Sequence, residues 1–387
     1  MLAIRRKYFG RALAVGLLTV FLAACKVVPD GGRPGPQPTP APTSGPVEDV
    51  LPTDTSRHRV ALLVPLSGEN AAVGRSIANA TTMALLDTNA ENLRITTYDT
   101  ATGAGTAAAR AISDGNKLIL GPLLREDVAP IAARARPADV PLVTFSNDTS
   151  VAAADVFVMG HVPEQSIART VAYARQNGAR RFAALVPEGD YGRRAADALS
   201  QSVARAGGTL VGTERYDRGN TSIVSAAERL KARGGYDAVL IAEGSRLSAM
   251  AAGTLREGGI QVMILGTELW SGEASLASAA AMRGAWFSAV SDQRYRQFVT
   301  SYQSRFGEEP YRIATLGYDS VLLALRIARD WQPGRDFPAG RMLAADGFLG
   351  LDGPFRFLSS GIGERAMEVR QVGNGSVSVV DPAPTRF

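Results

Sequence analysis

Cysteine occurs once in the 387 residues, at Cys25, and histidine twice, at His58 and His161. One thiol excludes a disulfide within the chain. No Cys/His pair, metal-spaced cluster or G-x-S-x-G elbow is present, so the commonest metal-based and nucleophilic chemistries lack their residues. A nucleotide loop is also missing: "GTAAARAISDG" has neither the G-x-G-x-x-G spacing nor a G-K-[ST] ending, and it reads as a helix start led by Thr106. Charge of one sign is scarce as well. The formal net charge is +5, and Arg5, Arg6, Lys7 and Arg11 precede Cys25 with no acidic residue among them, which leaves +1 for the rest. No basic cluster interleaved with aromatics remains to grip a nucleic acid. Neither a cofactor, a metal nor a catalytic residue is expected.

What is present begins with "MLAIRRKYFGRALAVGLLTVFLAACK": a basic start, an apolar run over residues 12–22 and small residues before Cys25. The run is too short to span a bilayer as a mature helix and reads as a secretory signal over residues 1–24. Its Leu22-Ala23-Ala24-Cys25 ending resembles a bacterial lipobox, which implies thioether lipidation of Cys25 and cleavage before it. The alternative is an ordinary signal peptide with a chance cysteine. Residues 25–56 follow as a Pro-rich tether, extended in its Pro-X-Pro part at about 3.1 Å per residue.

With 45% apolar and 20% charged residues, the remainder can bury a sizeable core. "RVALLVP", "LRITTYD" and "KLILGP" are each followed by a helical pattern, and the order restarts at "RRFAALVPEGD". Short apolar runs alternating with helices imply βαβ units with parallel sheets, and two such sets imply two α/β lobes. "GPFRFLSSGIGERAMEVRQVGNGSVSVV" alternates in strand fashion around turns that include Asn374-Gly375.

Strand ends supply the site candidates. "VPLSGENAAVG" puts Ser67 and Asn70 before a helix whose first N–H groups could receive an anion; the alternative is that one of them caps that helix. "LVPEGDYG" offers Asp190 and Tyr191, and "LGTELW" offers Glu268 and Trp270, an acid and an aromatic suited to an ammonium or sugar if they face a crevice. Solvated surface carboxylates are the competing reading.

Together "RVALLVPLSGENAAVG", "LILGPL", "VPLVTFSND", "LVPEGDYG" and "LGYDSVLLAL" resemble the type I periplasmic-binding-protein fold of the Leu/Ile/Val-binding family, over residues 57–380. The resemblance implies two Rossmann-like lobes joined by three hinge crossings, near His161, Ser288 and Asp346. One lobe would be 57–161 with 289–346, the other 162–288 with 347–382. The cleft between them would draw on Ser67, Asn70, Leu123, Leu124, Ser146, Asn147, Asp190, Tyr191, Glu268 and Trp270. Amino-acid binders of this fold place Ser or Thr after the Gly-Pro turn, where this chain has Leu123-Leu124-Arg125.

"LGPLLREDVAPIA", "PLSGENAAVG" and "FLGLDGPFRF" look more like the penicillin-binding protein activators, outer-membrane lipoproteins that stimulate peptidoglycan synthases. Larger members carry a helical-repeat domain ahead of this fold, whereas here the tether leads straight into it. The resemblance therefore implies a non-enzymatic lipoprotein on the periplasmic face of the outer membrane, with a bifunctional penicillin-binding protein as partner. Lys26 after the lipid cysteine agrees with that sorting. The alternative is a lipid-anchored receptor delivering an amino acid or related small molecule to an ABC transporter. A cleft glycosidase using paired carboxylates is a third class. Replacing Cys25 with Ser is expected to abolish lipidation; mass spectrometry of membrane-extracted protein, finding a diacylglyceryl group on wild type and none on the variant, checks this.

Overall fold

In the first strand, β1 (His58–Val64), Val60, Ala61, Leu62, Leu63 and Val64 are all wholly buried. A strand apolar on both faces requires helices on both faces. The computed structural model, which describes residues 56–387 apart from Asn220, supplies them. Cys25, the expected signal segment and almost all of the expected tether lie outside the described residues.

The first lobe continues with α1 (Ala71–Asp87), β2 (Leu93–Asp99), α2 (Ala104–Ser113), β3 (Ile119–Leu120), α3 (Val128–Ala135), β4 (Leu142–Thr144) and β5 (Val156–Val158). Its five strands are parallel in the order β2-β1-β3-β4-β5. The helix expected to start at Thr106 begins two residues earlier, behind Gly103. Ala61 and Leu63 pack with the alanines of α2 and α3, while Val60, Leu62 and Val64 face the opposite core.

The second lobe repeats the plan with α4 (Pro163–Gln176), β6 (Arg181–Pro187), α5 (Asp190–Arg205), β7 (Thr209–Tyr216), α6 (Ser222–Arg233), β8 (Ala238–Ile241), α7 (Ser245–Arg256), β9 (Met263–Leu265), the single turn α8 (Ser275–Ser278) and β10 (Trp286–Ala289). The chain then returns to the first lobe as α9 (Gln293–Phe306) and α10 (Thr315–Ala328), whose Leu323 and Ile327 complete the core behind β1. This is an α/β architecture of two lobes built on parallel strands, as the alternation of strands and helices implies, and the chain crosses between them three times, as the resemblance implies.

The third crossing departs from expectation. The resemblance implies a crossing near Asp346, with 347–382 in the second lobe. Instead β11 (Phe348–Gly350), β12 (Gly353–Phe357) and β13 (Gly363–Arg365) form a small antiparallel sheet. Its Phe348, Phe355 and Phe357 join the first-lobe core, Phe357 meeting Phe157 edge to face at 5.2 Å. Only at residues 366–367 does the chain pass over, to add β14 (Glu368–Val372) antiparallel to β10 and β15 (Val377–Asp381) antiparallel to β14. Their connecting turn contains Asn374-Gly375, with Gly375 at φ +76°. Beyond β15 the chain runs back: Asp381 pairs with Arg169 at 2.8 Å, and the Phe387 ring lies under the Arg356 guanidinium of β12, 4.7 Å from ring centre to carbon.

Two glycines show how the lobes echo one another. A Cβ on Gly74, in the first turn of α1, would sit 1.8 Å from the Pro65 carbonyl oxygen; on Gly192, in the first turn of α5, it would sit 1.6 Å from that of Pro187. In each lobe the helix that follows the first strand can approach the strand end only without a side chain there. Gly192→Ala is expected to lower stability by about 2 kcal/mol or more, since backbone rather than a movable side chain must yield. Gly253→Ala on the exposed face of α7, where the nearest neighbour would be 4.0 Å away, is expected to raise it by about 0.5–1 kcal/mol. Urea unfolding of the two variants beside wild type checks both signs.

Candidate functional site

The carboxyl ends of the parallel strands in both lobes face a common cleft, which holds a cavity of about 380 Å³. Leu123, Phe145, Leu269 and Ile313 give it an apolar wall; Asn147, Ser271, His161, Arg312, Glu268 and Glu273 provide its polar groups. Of the ten residues expected at a cleft, only Leu123, Asn147 and Glu268 line this cavity.

The others are placed as follows. The Ser67 hydroxyl donates to Asp99 at 2.7 Å rather than capping α1 or facing a ligand. Asn70 caps α1 through its backbone carbonyl alone, which accepts from Gly74 at 3.0 Å. Leu124 precedes a short 3-10 turn. Ser146 is buried, its hydroxyl accepting from the Asp148 amide at 3.1 Å. The Asp190 carboxylate is taken up by Arg125 and Arg193. Trp270 is a correction to the crevice-facing reading. It is 1% exposed, donates its indole N–H to the Glu243 carbonyl at 2.8 Å, and meets Phe287 edge to face in the second-lobe core. Gly266 makes the room, since a Cβ there would come within 2.4 Å of the indole.

Tyr191 stands one step behind the cavity. Its hydroxyl donates to Glu268 Oε1 at 3.3 Å and lies 3.0 Å from the Thr267 hydroxyl. Burial, and then the Glu268 charge, hold its pKa well above the usual tyrosine value. Glu268 Oε2 is buried with no hydrogen-bond partner. Burial pushes the Glu268 carboxyl up to about 7, reinforced by Glu164 and opposed by the Tyr191 hydrogen bond and by Arg194. This is a carboxyl short of donors, able to take a proton or a cationic group.

Around the Gly121-Pro122 turn, whose peptide is cis, the hydroxyl capacity is already spent. The Thr144 hydroxyl donates to the Pro122 carbonyl at 2.9 Å, and the Phe145 amide reaches the same oxygen at 2.9 Å. Leu123 leaves only a methyl surface toward the cavity. The lips of the cleft are joined by charge: Arg125 of the first lobe binds Asp148 at 2.8 Å and Asp190 of the second lobe at 3.1 Å. Arg194 of α5 binds Glu164 at 2.8 Å and donates to the Asn147 carbonyl of the first lobe. These pairs are half exposed or partly so, and each holds the lobes only weakly.

Beneath the cavity, His161 at the first crossing and Arg365 at the third reach a buried ionic cluster of the first lobe. Asp352, fully buried, accepts from Arg312 at 2.9 Å and from the Thr315 hydroxyl at 2.9 Å, and lies 2.8 Å from His161 Nε2. Arg365 approaches Asp352 at 3.9 Å and Asp319 at 3.8 Å while donating to the Met159 carbonyl at 2.9 Å. Burial alone would raise Asp352, but Arg312, His161 and Arg365 hold it well below the usual carboxylate range. Burial and the Asp352 charge push Asp319 up to about 7. Burial lowers His161 against the pull of Asp352. Further along the hinge, Arg370 of β14 grips Asp292 and donates to Glu368 at 2.7 Å and to the Val290 carbonyl at 2.6 Å. The sequence places His161 only near a hinge and does not mark Arg312; each is remote in sequence from its partner Asp352, so no local pattern pairs them.

Two lobes hinged over a charged pivot, with a cavity between their strand ends, define a two-lobed binding module. The chain belongs to the periplasmic binding protein family, whose profile matches residues 58–376. An uncharacterized protein of Rickettsia prowazekii is 27% identical over 173 residues, 44% of this chain and 46% of that protein, so the match spans about half the length of that relative. Among solved structures, a putative branched-chain amino acid ABC transporter protein from Rhodospirillum rubrum superposes with a TM-score of 0.74 at 20% identity, over 84% of this chain and all of that one. Full-length LpoA from Haemophilus influenzae gives 0.64 at 21% identity, over 84% of this chain and 59% of that one. Both likenesses are of fold.

The Glu268 carboxyl sets a pH dependence. With a folded pKa near 7 and an ordinary value of 4.5, the folded state holds a proton that the unfolded chain releases between those limits, so this group's contribution to stability falls as pH rises from about 4.5 to 7. Glu268→Gln is expected to stabilise the protein at pH 8, by up to about 3 kcal/mol, and to change it little at pH 4.5; urea unfolding at the two pH values checks the difference.

Proposed function

We propose that this chain is an outer-membrane lipoprotein, held through Cys25 and its tether, whose two-lobed domain regulates a bifunctional penicillin-binding protein. The observation that carries this reading is the state of the cleft at the Gly121-Pro122 turn. Leu123 faces the cavity where an amino-acid carboxylate would need donors, and Thr144 has committed its hydroxyl hydrogen to the Pro122 carbonyl. The lips are bridged by charge through Arg125 and Arg194, contacts made by the protein's own side chains. The motifs "LGPLLREDVAPIA" and "FLGLDGPFRF" support the same class of partner by their resemblance to the activators.

A second reading, a lipid-anchored receptor for an ABC transporter, is favoured by one feature, the unpartnered Glu268 Oε2 beside a cavity large enough for a small molecule. The two readings part on affinity. A carboxylate buried against Leu123 without donors forfeits about 1–3 kcal/mol per unmatched group. Two such losses weaken binding roughly 30-fold or more. Free amino acids are therefore expected to bind weakly or not at all in calorimetric titration of protein stripped of ligand by unfolding and refolding. Pull-down from membrane extract is expected to recover a peptidoglycan synthase, with stimulation of glycan polymerisation in the reconstituted pair. Micromolar binding of an amino acid together with recovery of a permease would replace this reading with the receptor.

A further inference from the structure

Resting on the reading that the partner is a protein, we infer that the outer face of the first lobe carries its docking groove, built for a segment that presents an apolar side chain between carboxylates. The groove encloses about 650 Å³ between α10, the small antiparallel sheet and the segment after β15. Its floor is Leu322 and Leu325 of α10 with Phe348, Leu349 and Pro354 of the sheet. Leu349 is 56% exposed, and Leu322 and Leu325 beside it in the groove are only half-buried. An apolar recess left this open is the kind of surface that a partner covers.

Charge identifies what covers them. Arg326 and Arg329 stand one turn apart on α10 in line with Leu322, and Arg386 approaches from the opposite wall. None of the three makes an ion pair or hydrogen bond among the described residues, and Asp346 is the single carboxylate on the rim. The α10 dipole accounts for cations near its carboxyl end, but neither for Arg386 nor for the open leucines beneath. An apolar floor under three unpaired guanidiniums matches an acidic, amphipathic protein segment, with guanidinium–carboxylate pairs setting its register. A flat anionic lipid surface fits less well, because the apolar groups lie in the recess rather than at its crest. Thr88 ends α1 and Asn92 precedes β2, so the groove opens at the amino ends of the first-lobe strands. The cleft lies at their carboxyl ends and stays free when the groove is filled.

The test uses the full chain and two synthetic peptides, one alternating leucine with glutamate and one leucine with lysine, followed by fluorescence anisotropy. The acidic peptide is expected to bind, the basic one not, and binding is expected to weaken as salt rises. The pair Arg326→Glu and Arg329→Glu is expected to cost about tenfold or more in affinity, and Leu349→Ser several-fold, both at an unchanged thermal midpoint. Should the reversed pair misfold, the neutral pair Arg326→Gln and Arg329→Gln gives the same direction with a smaller loss. Equal binding of both peptides, binding untouched by these substitutions, or binding only to phosphatidylglycerol vesicles would each overturn the inference. With the purified synthase in place of peptide, undiminished binding of the groove variants overturns the groove while leaving the proposed function intact. Failure of wild type itself to bind the synthase counts against the proposed function, and the peptide result then decides the groove alone.

Discussion

Asp352 is the group on which the arrangement of the lobes depends. It is fully buried at the pivot, and Arg312, His161, Thr315 and Arg365 converge on it from segments up to about two hundred residues apart. An unpaired carboxylate there would cost several kcal/mol, so every one of those partners is constrained by the presence of the rest. A hydrophobic cluster of the same volume would hold the segments together without fixing their angles. The cluster does fix them, because guanidinium and imidazole donors must point at particular oxygens. Gly350 belongs to the same constraint: a Cβ there would come within 2.3 Å of the Asp319 carboxylate, whose Oδ1 accepts from the Leu351 amide at 2.5 Å.

The pivot and the cavity are therefore one electrostatic unit. Arg312 and His161 belong to both, binding Asp352 below and lining the cavity above. Arg312 also lies over the Tyr295 ring at 4.3 Å, which fixes its plane. Any group entering beside Glu268 would meet a cavity wall whose Arg312 gives one guanidinium nitrogen to Asp352 and keeps Nε and Nη2 without a hydrogen-bond partner. The two protonation-sensitive carboxyls, Glu268 in the cavity and Asp319 at the pivot, are both pushed up to about 7 by burial, so proton uptake near neutrality would be felt in both places.

The fold was legible in the sequence and the site was not, for physical reasons. Runs such as "RVALLVP" followed by amphipathic helices specify buried parallel strands, because helices on both faces of the sheet hide an apolar stretch from water. Asn374-Gly375 marked a hairpin turn, because few dipeptides tolerate its backbone. The alternation of "GPFRF" likewise marked a strand, yet alternation states only that one face is buried, not which lobe buries it; Phe348, Phe355 and Phe357 chose the first. Trp270 followed the strongest hydrophobic driving force into the core once Gly266 left space for its ring, although an acid beside an aromatic suggested a crevice. Glu268 was legible as a polar residue at a strand end. Arg312 was not, since its role comes from a chain reversal that no local spacing encodes.

The run of residues 382–387 carries a geometric consequence. It leaves the second lobe at Asp381, tied to Arg169, and ends with the Phe387 ring beneath Arg356 of the first. Six residues drawn straight reach about 20 Å. While that ring stays seated, the two lobes are on a leash of fixed length beside the hinge, and the domain has a widest aperture set by the chain itself rather than by the stiffness of its crossings.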